Sequence, residues 1–135
     1  MKVTGSCHCG ATTLQAEIDP ETVTICHCSD CQKLSATAYR VAVPAAAENV
    51  RFEGAAPKIY VKTAESGNAR AQAFCGTCGS QFYSSDTGDK PPFYMLRVGI
   101  LDQRAELPPK SEIWCRSRLP WVGDIAPEAR QRETS

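Results

Sequence analysis

Phe74-Cys75-Gly76-Thr77-Cys78-Gly79-Ser80 decides how this chain is read: two cysteines three residues apart in a glycine-flanked turn have the form of a zinc knuckle. Glycine permits the tight turn and lets backbone N–H groups approach the thiolates. Two sulfurs make half a tetrahedron. Cys7 and Cys9, in Gly5-Ser6-Cys7-His8-Cys9-Gly10-Ala11, supply the other half across 65 intervening residues. Pinning a loop of that length is worth about 4 kcal/mol in chain entropy. The zinc on Cys7, Cys9, Cys75 and Cys78 is therefore expected to be structural.

Three more cysteines fall in Cys26-His27-Cys28-Ser29-Asp30-Cys31, a span that suits one ion. Three thiolates with no obvious fourth ligand resemble a catalytic zinc, whereas four ligands mark a closed structural one. Cys26, Cys28 and Cys31 are thus expected to carry an open, catalytic zinc site, giving two zinc ions per chain. His8, His27 and Cys115 are the possible fourth ligands. Each histidine lies between the cysteines of a Cys-x-Cys, so on an extended backbone it points away from the metal. Cys115 would share a strand face with Ile113 and reads as an inert core thiol.

A secreted disulfide framework is the competing reading of eight cysteines. Strand residues two apart lie about 6.7 Å apart on one face, near the upper limit for a disulfide but well aimed at one ion. Met1-Lys2-Val3-Thr4-Gly5-Ser6 leads straight into cysteines without the apolar run of an export signal. The longest apolar stretch, Val41 to Ala47, is seven residues broken by Pro44, against about 20 for a membrane span. A soluble, cytoplasmic protein is expected, where thiols stay reduced.

The length of 135 residues fits one domain with a real core, and 42% hydrophobic residues argue against disorder. Fifteen Lys and Arg balance fifteen Asp and Glu, which removes the electrostatic case for nucleic acid or an anionic membrane. Alternation predicts short strands: Leu14/Ala16/Ile18, Val23/Ile25, Tyr39/Val41/Val43, Val50/Phe52, Ile59/Val61 and Tyr94/Leu96/Val98/Ile100. Ser29-Asp30-Cys31-Gln32 resembles a capping box and predicts one short helix, with Cys31 in its first turn. The domain is expected over 1–126 and a flexible tail over 127–135. The fold class is mainly β, stapled by metal.

The three cysteine motifs, in this order and at these distances, together with Ile113-Trp114-Cys115-Arg116-Ser117-Arg118-Leu119-Pro120-Trp121, resemble the glutathione-dependent formaldehyde-activating enzyme family, also called the centromere protein V family. Gly76 and Cys115 depart from that pattern without touching the expected ligands. The resemblance implies a β-tent of two packed antiparallel sheets and the same two zinc sites. It also implies an activity: joining formaldehyde to the glutathione thiol to give S-hydroxymethylglutathione, a carbon–sulfur lyase reaction run in reverse.

Three thiolates on zinc leave a net negative site, poor at making hydroxide but soft enough to take a substrate thiolate. The expected partner is a small thiol such as glutathione, and the expected function is a zinc-dependent carbon–sulfur lyase or synthase. The alternatives are a non-catalytic small-thiol-binding module and a protein-interaction domain. His27, Asp30 and Tyr39 lie near enough in sequence to move the adduct's proton, although His27 also reads as a solvated residue. Lys33, Arg40, Arg97, Arg116 and Arg118 could meet substrate carboxylates, but surface exposure is the default for such residues.

Overall fold

Two β-sheets close over one apolar core in the computed structural model, which describes residues 1–124. The tail expected over 127–135 lies outside the described residues. The smaller sheet has the order β1 (Lys2–Ser6), β2 (Thr12–Glu17), β5 (Val50–Gly54). The larger has seven strands in the order β10 (Ser111–Ile113), β3 (Thr24–Cys26), β4 (Arg40–Ala46), β9 (Phe93–Arg97), β8 (Gln81–Asp86), β7 (Ala69–Phe74), β6 (Lys58–Thr63). All pairings are antiparallel except β10 with β3, which is parallel. The mainly-β expectation holds, with that one departure from two wholly antiparallel sheets. Among the described residues no helix is long and apolar enough to cross a membrane.

Alternation builds the core as expected. Val3, Leu14 and Ala16 face inward from the small sheet; Val43, Ala45, Leu96 and Ala73 meet them from the large one. Phe52 of β5 bridges the layers, packing against Phe82, Tyr83 and Tyr94. A bulge in the β7–β8 ladder pairs Ala73 with Tyr83 and Phe74 with Gln81, leaving Phe82 as the extra residue. Phe82, fully buried, and Tyr83 thereby both join the core. Three strands cannot cover seven. Ile59 and Val61, opposite Ala73 and Ala71 on the edge strand β6, remain about half exposed.

The last predicted strand stops early. β9 ends at Arg97, and Val98–Ile100 form a 3-10 turn with Val98 still buried. The predicted helix, α1 (Ser29–Ser35), is present, but its N-cap is Cys28 rather than Ser29. The Cys28 sulfur accepts from the Cys31 N–H at 3.2 Å, so a cysteine sulfur takes the capping role that a hydroxyl usually fills.

Candidate metal centres and the cavity beside them

Cys7 and Cys9 stand in the β1–β2 turn, where Gly10 takes a left-handed φ of 79° and its N–H bonds the Cys7 carbonyl. Cys75 and Cys78 stand in the β7–β8 turn, closed by Gly79 in the same conformation. The four sulfurs all lie within 4.8 Å of one another. Cys7 to Cys9 is 3.6 Å and Cys9 to Cys75 is 3.7 Å. Zinc–sulfur bonds of about 2.3 Å in a tetrahedron put neighbouring sulfurs about 3.8 Å apart, so this donor set fits zinc. Backbone N–H groups of Thr12, Thr77 and Cys78 point at the Cys7 and Cys75 sulfurs, as thiolate ligands require. A hydrogen bond from Ser80 holds the Cys78 thiol down to about 5. One hairpin belongs to each sheet, so a metal held by this set would tie the two layers together.

Cys26 ends β3, Cys28 caps α1 and Cys31 lies in its first turn; their sulfurs too lie within 4.8 Å of one another. Hydrogen bonding to Cys31 lowers the Cys26 thiol, and the same contact raises Cys31. Three thiols at this separation also fit a zinc ion.

Strand register builds what surrounds the triplet. On the face of the large sheet turned from the core, Cys26 is opposite Arg40, and Ala42 opposite Arg97. Ser84 lies between Gln72 and Met95, and Arg70 between Lys62 and Asp86. All of these side chains except Asp86, together with the three cysteines, line one cavity of about 330 Å³, walled by Ile113 and Trp114. Arg40 and Arg97 are only 6% and 7% exposed. Their guanidinium groups converge on a single acceptor, Gln72 Oε1, each at 3.0 Å. Burial, with Arg40 beside it, brings Arg97 down to about 9, so it stays charged at neutral pH. Arg70 is paired with Asp86, and Lys62 with Asp30 at 2.9 Å. A second cavity of about 500 Å³ adjoins the first through Cys28, Lys62, Ala64 and Trp114.

The model of the glutathione-dependent formaldehyde-activating enzyme family matches residues 2–117. The chain belongs to that family. A Rhodobacter sphaeroides protein of known crystal structure is similar at 23% identity and a TM-score of 0.61, over 81% of this chain and 98% of that one. No curated protein matches the chain. The segment matched by the formaldehyde-activating enzyme family contains all eight cysteines and the four cations of the cavity.

Several expectations need correction against this geometry. His27 is not solvated: it is 0% exposed, its Nε2 is 2.9 Å from Glu112, and its ring meets Tyr39 edge-on at 5.6 Å. The parallel pairing of β10 carries Glu112 over it, a contact that local sequence does not announce. Neither His27 nor Tyr39 lines the cavity; Asp30 lines only the adjoining one. Cys115 is not a core thiol. Trp114 adopts a left-handed φ of 58°, which ends the strand and turns Cys115 out into an exposed 3-10 turn. Lys33 and Arg118 are exposed. Arg116 lies over the Trp114 ring and grips Glu65 with both carboxylate oxygens. Arg70, Lys62 and Gln72 were not singled out by the sequence, because only cross-strand register brings them to the cysteines.

Proposed function

We propose that this chain is a zinc enzyme that makes or breaks the carbon–sulfur bond of a small-thiol adduct, with glutathione and formaldehyde as the leading pair. One observation carries the reading: Cys26, Cys28 and Cys31 open onto a cavity lined by Arg40, Arg97, Arg70 and Lys62, so a thiol site lies in a cationic pocket that suits a thiol bound as its anion. The structural role falls to Cys7, Cys9, Cys75 and Cys78, and the open site to Cys26, Cys28 and Cys31. Zinc held by these three thiolates would supply a soft position for a substrate thiolate.

The chain's own residues then orient and enclose. Trp114 and Ile113 wall the cavity, and the Lys62–Asp30 pair stands where the two cavities join. In the synthetic direction the thiolate sulfur bonds to the aldehyde carbon, the carbonyl opens to an oxyanion, and that oxygen takes up one proton. The lyase direction reverses each step. No electron acceptor is needed.

Exchange between free formaldehyde and its glutathione adduct, followed by NMR exchange spectroscopy, tests this. The zinc-loaded protein should accelerate exchange above the spontaneous rate, and Cys28→Ser should abolish the gain. Thiol binding without acceleration would reduce the protein to a binding module.

A further inference from the structure

Two buried arginines in this cavity share one neutral acceptor. Among the described residues Arg40 Nε and Nη2 and Arg97 Nε are buried without a hydrogen-bond partner. Their remaining contacts are Gln72 Oε1, shared by both, and the Met95 carbonyl, 3.4 Å from Arg97 Nη1. All of these acceptors are neutral. Among the described residues neither arginine is paired with a carboxylate, whereas the half-buried cations Arg70 and Lys62 both are. Burying two like charges beside each other is strongly unfavourable unless anionic charge lies close by. The groups in the same cavity able to supply it are the cysteine sulfurs: Cys26 is directly opposite Arg40 in the β3–β4 ladder.

The charges can be counted, taking from the proposed function that zinc sits on the triplet. Three thiolates against a dication leave one net negative charge, and a fourth, substrate thiolate makes it two. The buried arginines contribute two positive charges. The balance is therefore struck with the thiolate bound and not with a neutral ligand such as water.

We propose that Arg40 and Arg97, held together by Gln72, are the buried counter-charge that makes the second site select an anionic sulfur ligand, acting on the thiolate itself rather than on a carboxylate elsewhere in the substrate. They are positioning residues by this account. Gln72 fixes them because its one acceptor oxygen takes a donor from each.

The test uses cobalt(II) in the second site and two thiols, glutathione and 2-mercaptoethanol, which has no carboxylate. The thiolate-to-metal absorption band reads binding. Arg97→Met should weaken both thiols by the same factor, about tenfold or more for a lost charge in a poorly solvated site. Arg97→Lys should recover most of the loss. Arg40→Met gives the same readout should Arg97→Met not fold, and metal content checks that each variant keeps both sites. A loss confined to glutathione would show carboxylate docking and overturn the proposal, as would unchanged affinity for both thiols. Failure of the unaltered protein to bind either thiol would instead remove the proposed function on which this inference rests.

Discussion

His27→Ala separates a fastening role from a chemical one. His27 sits between two candidate zinc ligands, a place that invites a role in proton transfer, yet its ring is sealed from the cavity. It is 0% exposed, bonded to Glu112 at 2.9 Å and edge-on to Tyr39. Its backbone is tied as well: the N–H bonds the Ile113 carbonyl at 3.1 Å, and its own carbonyl accepts from Gln32 Nε2 at 2.8 Å. Removing a buried aromatic ring costs about 3–5 kcal/mol. Loss of the aromatic contact falls within that figure, and release of the unpartnered Nδ1 from burial offsets part of it. A value near 3 kcal/mol is expected, a large share of a typical total of about 5–15 kcal/mol. For a domain of this size the melting temperature should fall by about 10 °C. Denaturant unfolding of the zinc-loaded protein measures the change, and the exchange assay is run well below the new melting point. Thiol exchange should then be close to that of the unaltered chain. Unchanged stability with abolished exchange would refute the reasoning and place His27 in the chemistry.

Two further outcomes follow from the same geometry. Cys78→Ser should collapse the fold, since the sulfurs of the two hairpins tie the sheets together and metal binding there is part of the folding free energy; Cys28→Ser should leave a folded chain with one zinc, and equal losses of melting temperature would make the second site structural too. Cys115→Val should keep both metals and change stability by less than about 0.5 kcal/mol, because Cys115 is exposed. In the native zinc-loaded protein Cys115 should be the one thiol that reacts rapidly with iodoacetamide, a count read by mass spectrometry; loss of a metal in the variant would return Cys115 to the ligand set.

Local features were legible from the residues and distant ones were not. Cysteines two or three apart point to a shared site because adjacent backbone can bring their sulfurs to one place, and the sulfurs of each set lie within 4.8 Å of one another. The strand faces of β2 and β4 follow from alternation in the same way. The arginine-lined cavity did not, because Arg40, Arg70 and Arg97 lie in three strands whose neighbours are set by topology, and buried arginine runs against the usual surface preference. Cys115 was misread for a different reason. Ile113-Trp114-Cys115 alternates like a strand, but the left-handed Trp114 breaks it, and no glycine or proline marks the break.

Cadmium-113 NMR of the chain loaded with two cadmium ions distinguishes an open second site from a closed one, since the chemical shift reports the number of sulfur ligands. Two resonances are expected: one at the four-sulfur position that ignores added thiol, from Cys7, Cys9, Cys75 and Cys78, and one from Cys26, Cys28 and Cys31 at a lower sulfur number. On adding glutathione the second alone should move to the four-sulfur position. Two four-sulfur resonances before any thiol is added, or a second resonance that does not respond to glutathione, would contradict an open second site.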